Sequence, residues 1–249
     1  MSTGLALNIC ADVATVTLVD PRGLHLLGTQ TLLNLDNCLA ELCERRDLKA
    51  IVLTADGWRT FSAGADLSEV CQLNPTTARA FSELGQGVAK RLASAPVVTV
   101  ALLNASAFGG GVELALACDL RVMVTSACLH YQAPRLGILP GWGGTQRLPL
   151  IIGQARARQM LLQCEPVDAT QALAWGLIAM AVPSIEASEW YRLLDSLRQN
   201  DARAVANIKR ALQQFDSSAE SVEQDAFAAC FETRSTQARI AAWLNRTGQ

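Results

Sequence analysis

The stretch Asn104-Ala-Ser-Ala-Phe-Gly-Gly-Gly-Val-Glu-Leu-Ala-Leu-Ala-Cys-Asp119 decides how the rest of the chain is read. Before it, Val97 to Leu102 has the apolar, β-branched run of a buried strand, and after Gly111 the composition is that of a buried helix. Gly109, Gly110 and Gly111 remove every side chain where strand gives way to helix. The N–H groups at a helix start have no intrahelical partner, so an acceptor can approach them closely here. The pattern predicts an anion or oxyanion site. Two residues further on stands Glu113, the lone carboxylate in a run of Val, Leu, Ala and Cys. Burial there is expected to raise its proton affinity towards the range useful in proton transfer. Donors and an acid–base group thus fall within one helical turn.

Upstream, Lys49 to Thr54 reads as a strand, followed by the small-residue loop Phe61-Ser-Ala-Gly-Ala-Asp-Leu67. This is either an ordinary turn or a second backbone donor. In the second reading Gly64 permits a tight bend that aims the Ala65 N–H into the same cavity as the Gly110 N–H. Ala63, Asp66 and Leu67 are then substrate-contact candidates, as is Gly109. Further upstream, Leu5 to Ile9 and Ala14 to Leu18 form a hairpin. Between Thr29 and Arg46, Leu32, Leu35, Leu39 and Leu42 recur at helical spacing, and a further helix is expected from about Thr76 to Ala93. Downstream, Leu120 to Thr125 and Leu177 to Val182 are strands, Asp168 caps a helix, and everything after Ser184 reads as helix. Val205, Ile208, Leu212, Phe227, Phe231, Ile240 and Leu244 are the buried candidates there. These are more apolar faces than one helix needs, which points to an oligomer contact.

The chain has 249 residues, half of them hydrophobic, and a formal net charge of −2, enough for a sizeable core. The near-neutral balance, without a Lys/Arg run, argues against a nucleic-acid or anionic-membrane partner. No apolar run approaches the roughly 20 residues that span a bilayer, and no signal pattern opens the chain, so a cytoplasmic location is expected. Eight cysteines are scattered through apolar segments without a Cys-x-x-Cys pair and read as reduced core residues. With only His25 and His130, no metal site is expected.

Three segments taken together, Phe61 to Leu67, Ala107 to Asp119 and Gly137-Ile-Leu-Pro-Gly-Trp-Gly-Gly-Thr-Gln-Arg-Leu148, resemble the crotonase superfamily, the enoyl-CoA hydratase/isomerase family, in motif, order and spacing. The resemblance spans nearly the whole chain. It implies an α/β fold, a spiral of ββα repeats over residues 1–190, with a helical oligomerisation region over 191–249 that packs into trimers or pairs of trimers. It implies an acyl-CoA substrate, with coenzyme A present as part of the thioester and no covalently bound cofactor. By resemblance, Ala65 and Gly110 hold the thioester oxygen as it becomes enolate-like, and Glu113 handles the water that adds to or leaves the β-carbon. Arg246 falls where the family often has a basic residue near the CoA phosphate; alternatively it is a solvated terminal arginine.

The chain departs from the family pattern at one place. Hydratases usually carry Pro-Glu before the Leu-Gly of the third motif, and the ungapped equivalents here are Gln132 and Ala133. The second glutamate is missing. If this segment is extended, Tyr131, Ala133 and Arg135 face one way, and Arg135 lies near the substrate, where it either holds a substrate carboxylate or forms a surface ion pair. Tyr131 and His130 are either packing residues or stand-ins. Trp142 lines an acyl pocket or packs its loop. The leading expectation is hydration or dehydration of an enoyl-CoA, managed mainly by Glu113. Decarboxylation of a malonyl-type thioester with Arg135 at the carboxylate is the alternative, and an inactive CoA-thioester binder the third reading.

Overall fold

The structure, a computed structural model, describes residues 3–212, 224–225, 227–231 and 234–247. The chain starts with the antiparallel hairpin β1 (Gly4–Cys10) and β2 (Val13–Val19), and then a three-part unit recurs. A long strand is followed by a short one and a helix: β2, β3 (Leu26–Leu27) and α1 (Thr29–Glu44) make the first turn. The second is β4 (Ala50–Ala55), β5 (Gly64–Ala65), the single-turn α2 (Leu67–Val70) and α3 (Pro75–Ser94). The third is β6 (Val98–Leu103), β7 (Ala107–Phe108) and α4 (Gly110–Ala117). The fourth is β8 (Leu120–Val124), β9 (Cys128–His130), a 3-10 turn at Ala133–Leu136 and α5 (Gly144–Gln163), which breaks at Gly153. Then follow β10 (Val167–Asp168), α6 (Ala169–Ala174), β11 (Met180–Val182), α7 (Ser188–Arg198), α8 (Ala202–Leu212) and α9 (Arg234–Thr247). This is the expected ββα spiral.

The long strands build one six-stranded sheet in the order β1-β2-β4-β6-β8-β11, parallel from β2 onwards. The short strands pair among themselves as β3-β5 and β10-β9-β7. A parallel strand covered on both faces needs an apolar residue at nearly every position. Accordingly, Ala50–Ala55 and Val98–Leu103 are buried throughout. Helix α1 buries the stripe Thr31, Leu32, Leu35, Leu39 and Leu42, and each large side chain removed from water contributes about 1.5–3 kcal/mol. Helix α3 opens with Pro75 behind an Asn74–Thr77 capping box, in which each side chain bonds the other's backbone N–H.

Several expectations need correction. The last predicted strand is shorter than Leu177–Val182, because Leu177 and Ile178 close the turn after α6 through bonds to the Ala172 carbonyl. A division at residue 190 would cut α7, whose Trp190 is buried in the core. Phe227, Phe231 and Ile240 are buried as expected, but Ile208 is 58% and Leu212 78% exposed. Only Cys118 and Cys164 are buried among the cysteines, and Cys10 is exposed. All eight are free thiols. Helix α8 is tied to the sheet by a charge instead: Lys209 Nζ lies 2.6 Å from Asp119 Oδ2 and donates to the Val97 carbonyl at 2.8 Å.

Candidate active site

The two glycine-bearing loops leave the adjacent parallel strands β4 and β6 and are stitched together by backbone. Ser62 bridges Ala107, and Phe108 N–H donates to the Ser62 carbonyl at 2.9 Å. Ser62 Oγ donates to the His25 carbonyl at 2.8 Å and accepts from Gly64 N–H at 3.1 Å, which shapes the bend before Ala65. Gly64 has φ +90°, and a β-carbon on it would lie 2.8 Å from the Phe108 carbonyl oxygen and 3.3 Å from Gly110 N. Glycine is therefore required both for conformation and for the approach of the two loops. Gly109, at φ +46°, turns the chain into α4 and donates its N–H to the His130 carbonyl at 3.0 Å.

Between these loops and the Leu136–Trp142 segment lies a cavity of about 450 Å3. Ala63, Gly64, Ala65, Leu67, Gly109, Gly110, Glu113, Tyr131, Ala133 and Trp142 all line it. Ala65 and Gly110 therefore border one space, as the pair of donors requires. Glu113 is 3% exposed, on a helix buried along its whole length. Its Oε1 accepts from the N–H groups of Trp142 at 2.7 Å and Gly144 at 2.8 Å. Those bonds fix where the carboxylate points.

The donor loop is itself braced. Ser82 Oγ and Gln86 Nε2, both from α3, donate to the Gly141 carbonyl at 2.5 and 3.2 Å, and the Arg147 guanidinium donates to the Trp142 carbonyl at 2.9 Å. The Trp142 ring meets Phe81 edge-on, with centroids 5.5 Å apart. It fits only because two residues lack a β-carbon: one added at Gly85 would lie 2.3 Å from the indole, and one at Gly110 2.1 Å. Trp142 thus does both things considered for it, since it packs the loop and walls the cavity. At the far end of α4, buried Arg121 donates to the Cys118 carbonyl at 2.7 Å and the Leu177 carbonyl at 2.6 Å, closing a helix terminus that carries partial negative charge. Burial pushes the neighbouring Cys118 thiol up to about 12, so it is no nucleophile.

Two candidates stand elsewhere. Asp66 does not border the cavity; its carboxylate caps α2 by accepting from Ser68 N–H at 3.0 Å. Arg135 does not border the cavity either: residues 133–136 coil into a 3-10 turn instead of running extended. Its side chain is 55% exposed, pairs with Glu165 at 2.9 Å and borders an adjoining cavity with Arg239, behind the shared walls Gln132 and Trp243. The side chain of Arg246 lies outside the described residues. Sequence reasoning missed the Trp142 and Gly144 N–H groups that hold Glu113, and the seat at Gly85. A glycine inside a long helix costs roughly 1 kcal/mol against alanine, and that was the available signal for Gly85. Among the described residues no cluster of His, Cys, Asp and Glu is arranged to hold a metal, and no helix is long and apolar enough to cross a membrane.

Residues 8–247 match the enoyl-CoA hydratase/isomerase family. The chain is 32% identical to a short-chain-enoyl-CoA hydratase of Clostridium acetobutylicum, over 94% of this chain and 92% of that one. It is 31% identical to a crotonyl-CoA hydratase of Syntrophomonas wolfei, over 91% and 89%. The crystal structure of an enoyl-CoA hydratase from Mycobacterium avium subsp. paratuberculosis superposes with a TM-score of 0.86 at 25% identity, covering 96% of this chain and 98% of the other. The match takes in every strand, loop and helix that builds the cavity, and the protein is therefore a member of the enoyl-CoA hydratase/isomerase family.

Proposed function

We propose that this protein adds water to, or removes it from, the double bond of an enoyl-CoA thioester, with Glu113 as the acid–base group. The observation that carries the reading is the Glu113 carboxylate, buried at the wall of a largely apolar cavity and aimed by two backbone N–H groups. The hydratases among its relatives support the substrate class. In this reading the thioester oxygen sits at the Ala65 and Gly110 N–H groups. Glu113 takes a proton from water as the water oxygen bonds to the β-carbon, and the π electrons move onto the thioester oxygen. The same carboxyl then returns the proton to the α-carbon on the same face, which gives syn addition. Two fixed donors in a dry site are worth about 3–4 kcal/mol each at such a charge, because nothing reorganises as it develops.

Coenzyme A enters as part of the substrate, and the reading calls for no further cofactor. The trimer or pair of trimers implied by the family is part of the same proposal; exposed Ile208 and Leu212 on α8, with exposed Leu150 beside Leu212, support a covered face there. Light scattering of the purified protein measures that assembly. Decarboxylation loses its main support, since Arg135 engages Glu165. The test is crotonyl-CoA hydration: Glu113→Gln is expected to lower kcat by 10³-fold or more, about the upper range for a proton-transfer group. Equal turnover in the variant, or release of CO2 from malonyl-type thioesters with no hydration, defeats the reading.

A further inference from the structure

We propose that the Tyr131 hydroxyl is the second polar group of the reacting centre, holding the water that Glu113 activates where the family pattern would supply a second carboxylate. The inference rests on the hydratase reading and extends it. Tyr131 is 0% exposed and lines the same cavity as Glu113 and Ala133. Its position is fixed by backbone: β9 pairs with β7, and the His130 carbonyl just before it accepts from Gly109 N–H at the start of α4. The strand that leads into the phenol is thereby registered against the helix that carries the carboxylate.

The two side chains converge. A β-carbon on Gly144 would lie 2.8 Å from Tyr131 Oη, 2.9 Å from Glu113 Oε1 and 3.0 Å from Pro140 Cβ, so the two oxygens approach one point beside Gly144 that only glycine leaves to them. A hydroxyl both donates and accepts, so it can orient a water while the carboxylate takes its proton. Ala133, which borders the same cavity, brings only a methyl group to it. No proton is transferred to or from the phenol over the cycle: water's proton goes to Glu113 and then to the α-carbon, and its oxygen goes to the β-carbon.

Crotonyl-CoA hydration by Tyr131→Phe is the test, with unfolding temperature and KM measured alongside. The expected result is a kcat about 10²-fold lower, the scale for losing one hydrogen bond at the reacting centre, with KM within about twofold. Adding Ala133→Glu to Tyr131→Phe returns a carboxylate to the gap and is expected to recover part of the lost kcat. A Tyr131→Phe protein with parental kcat overturns the proposal, as does one whose loss follows its unfolding temperature and is not relieved by Ala133→Glu. Biosynthetic 3-fluorotyrosine guards against a variant that fails to fold. The chain has two tyrosines and Tyr191 is exposed, so the label in the cavity is Tyr131 alone. The fluorinated protein keeps the hydroxyl, and its kcat is expected to fall off at lower pH than the parent's on the alkaline side; an unmoved alkaline limb also overturns the proposal. Absence of hydration in the unsubstituted protein would sink the hydratase reading and this proposal together, whereas parental kcat in Tyr131→Phe sinks this one only.

Discussion

The two walls of the cavity are built on different terms. One wall, the Gly64–Ala65 and Gly109–Gly110 loops, presents backbone, and its geometry depends on atoms that are absent: no β-carbon at Gly64 to strike the Phe108 carbonyl, none at Gly110 to strike Trp142. The other wall presents side chains, Tyr131 and Glu113, the latter held by N–H groups brought from elsewhere in the chain. The first wall is specified by small residues at fixed spacing. The second is specified by packing, which is why one of its members can be exchanged, as Ala133 illustrates.

Breaking the backbone wall is expected to have the largest effect. Gly110→Ala places a methyl group 2.1 Å from the Trp142 ring, so either the indole or the first turn of α4 must move. Crotonyl-CoA turnover is expected to fall by 10²- to 10³-fold, the loss associated with one oxyanion donor. A variant that keeps parental kcat would mean that the Gly110 N–H is not where charge develops. Ser62→Ala probes the same wall more gently, since it removes the bonds from Ser62 Oγ to the His25 carbonyl and from Gly64 N–H to Ser62 Oγ. A loss of about 1–3 kcal/mol in urea unfolding is expected for these buried partners, with a smaller drop in kcat than for Gly110→Ala. If kcat falls further than with Gly110→Ala, the bend before Ala65 matters more than the start of α4.

The smallest effect sharpens the boundary of the side-chain wall. Arg135→Ala removes a surface ion pair with Glu165 and is expected to cost no more than about 1 kcal/mol in stability and to leave crotonyl-CoA kcat unchanged. A marked loss of turnover would return Arg135 to the site and revive a role for its charge at the substrate.

Legibility in the sequence follows the same division. The Gly109–Glu113 run and the Phe61–Leu67 loop were readable as one site because their chemistry is local: glycine fixes what the backbone can do wherever it stands. The sheet was readable for a related reason, since Ala50–Ala55 and Val98–Leu103 are apolar on both faces and can only be interior strands. The Tyr131–Arg135 segment does not meet the condition, an extended run, under which Arg135 would lie near the substrate. Gly137, at φ +77°, donates its N–H to the Pro134 carbonyl and Ile138 donates to the Ala133 carbonyl, and these closures coil the chain and carry Arg135 outward. Ile208 and Leu212 are buried candidates by apolar pattern, with an oligomer contact expected for the surplus apolar faces, and both stand exposed on the single chain. Periodicity identifies an apolar face but does not say what covers it.

While the ββα spiral came from the family resemblance, the sequence by itself determined the alternation of strands and helices, the glycine-rich helix start with a second small-residue loop as its candidate partner, and the single carboxylate beside them. These follow from burial patterns and backbone freedom, properties each segment carries on its own. Only the tertiary structure decided that Trp142 and Gly144 grip Glu113, that Gly85 and Gly110 make room for an indole, and that Tyr131 rather than Arg135 shares the cavity. Those outcomes depend on distances between segments far apart in the chain, and such distances are set by how the layers pack.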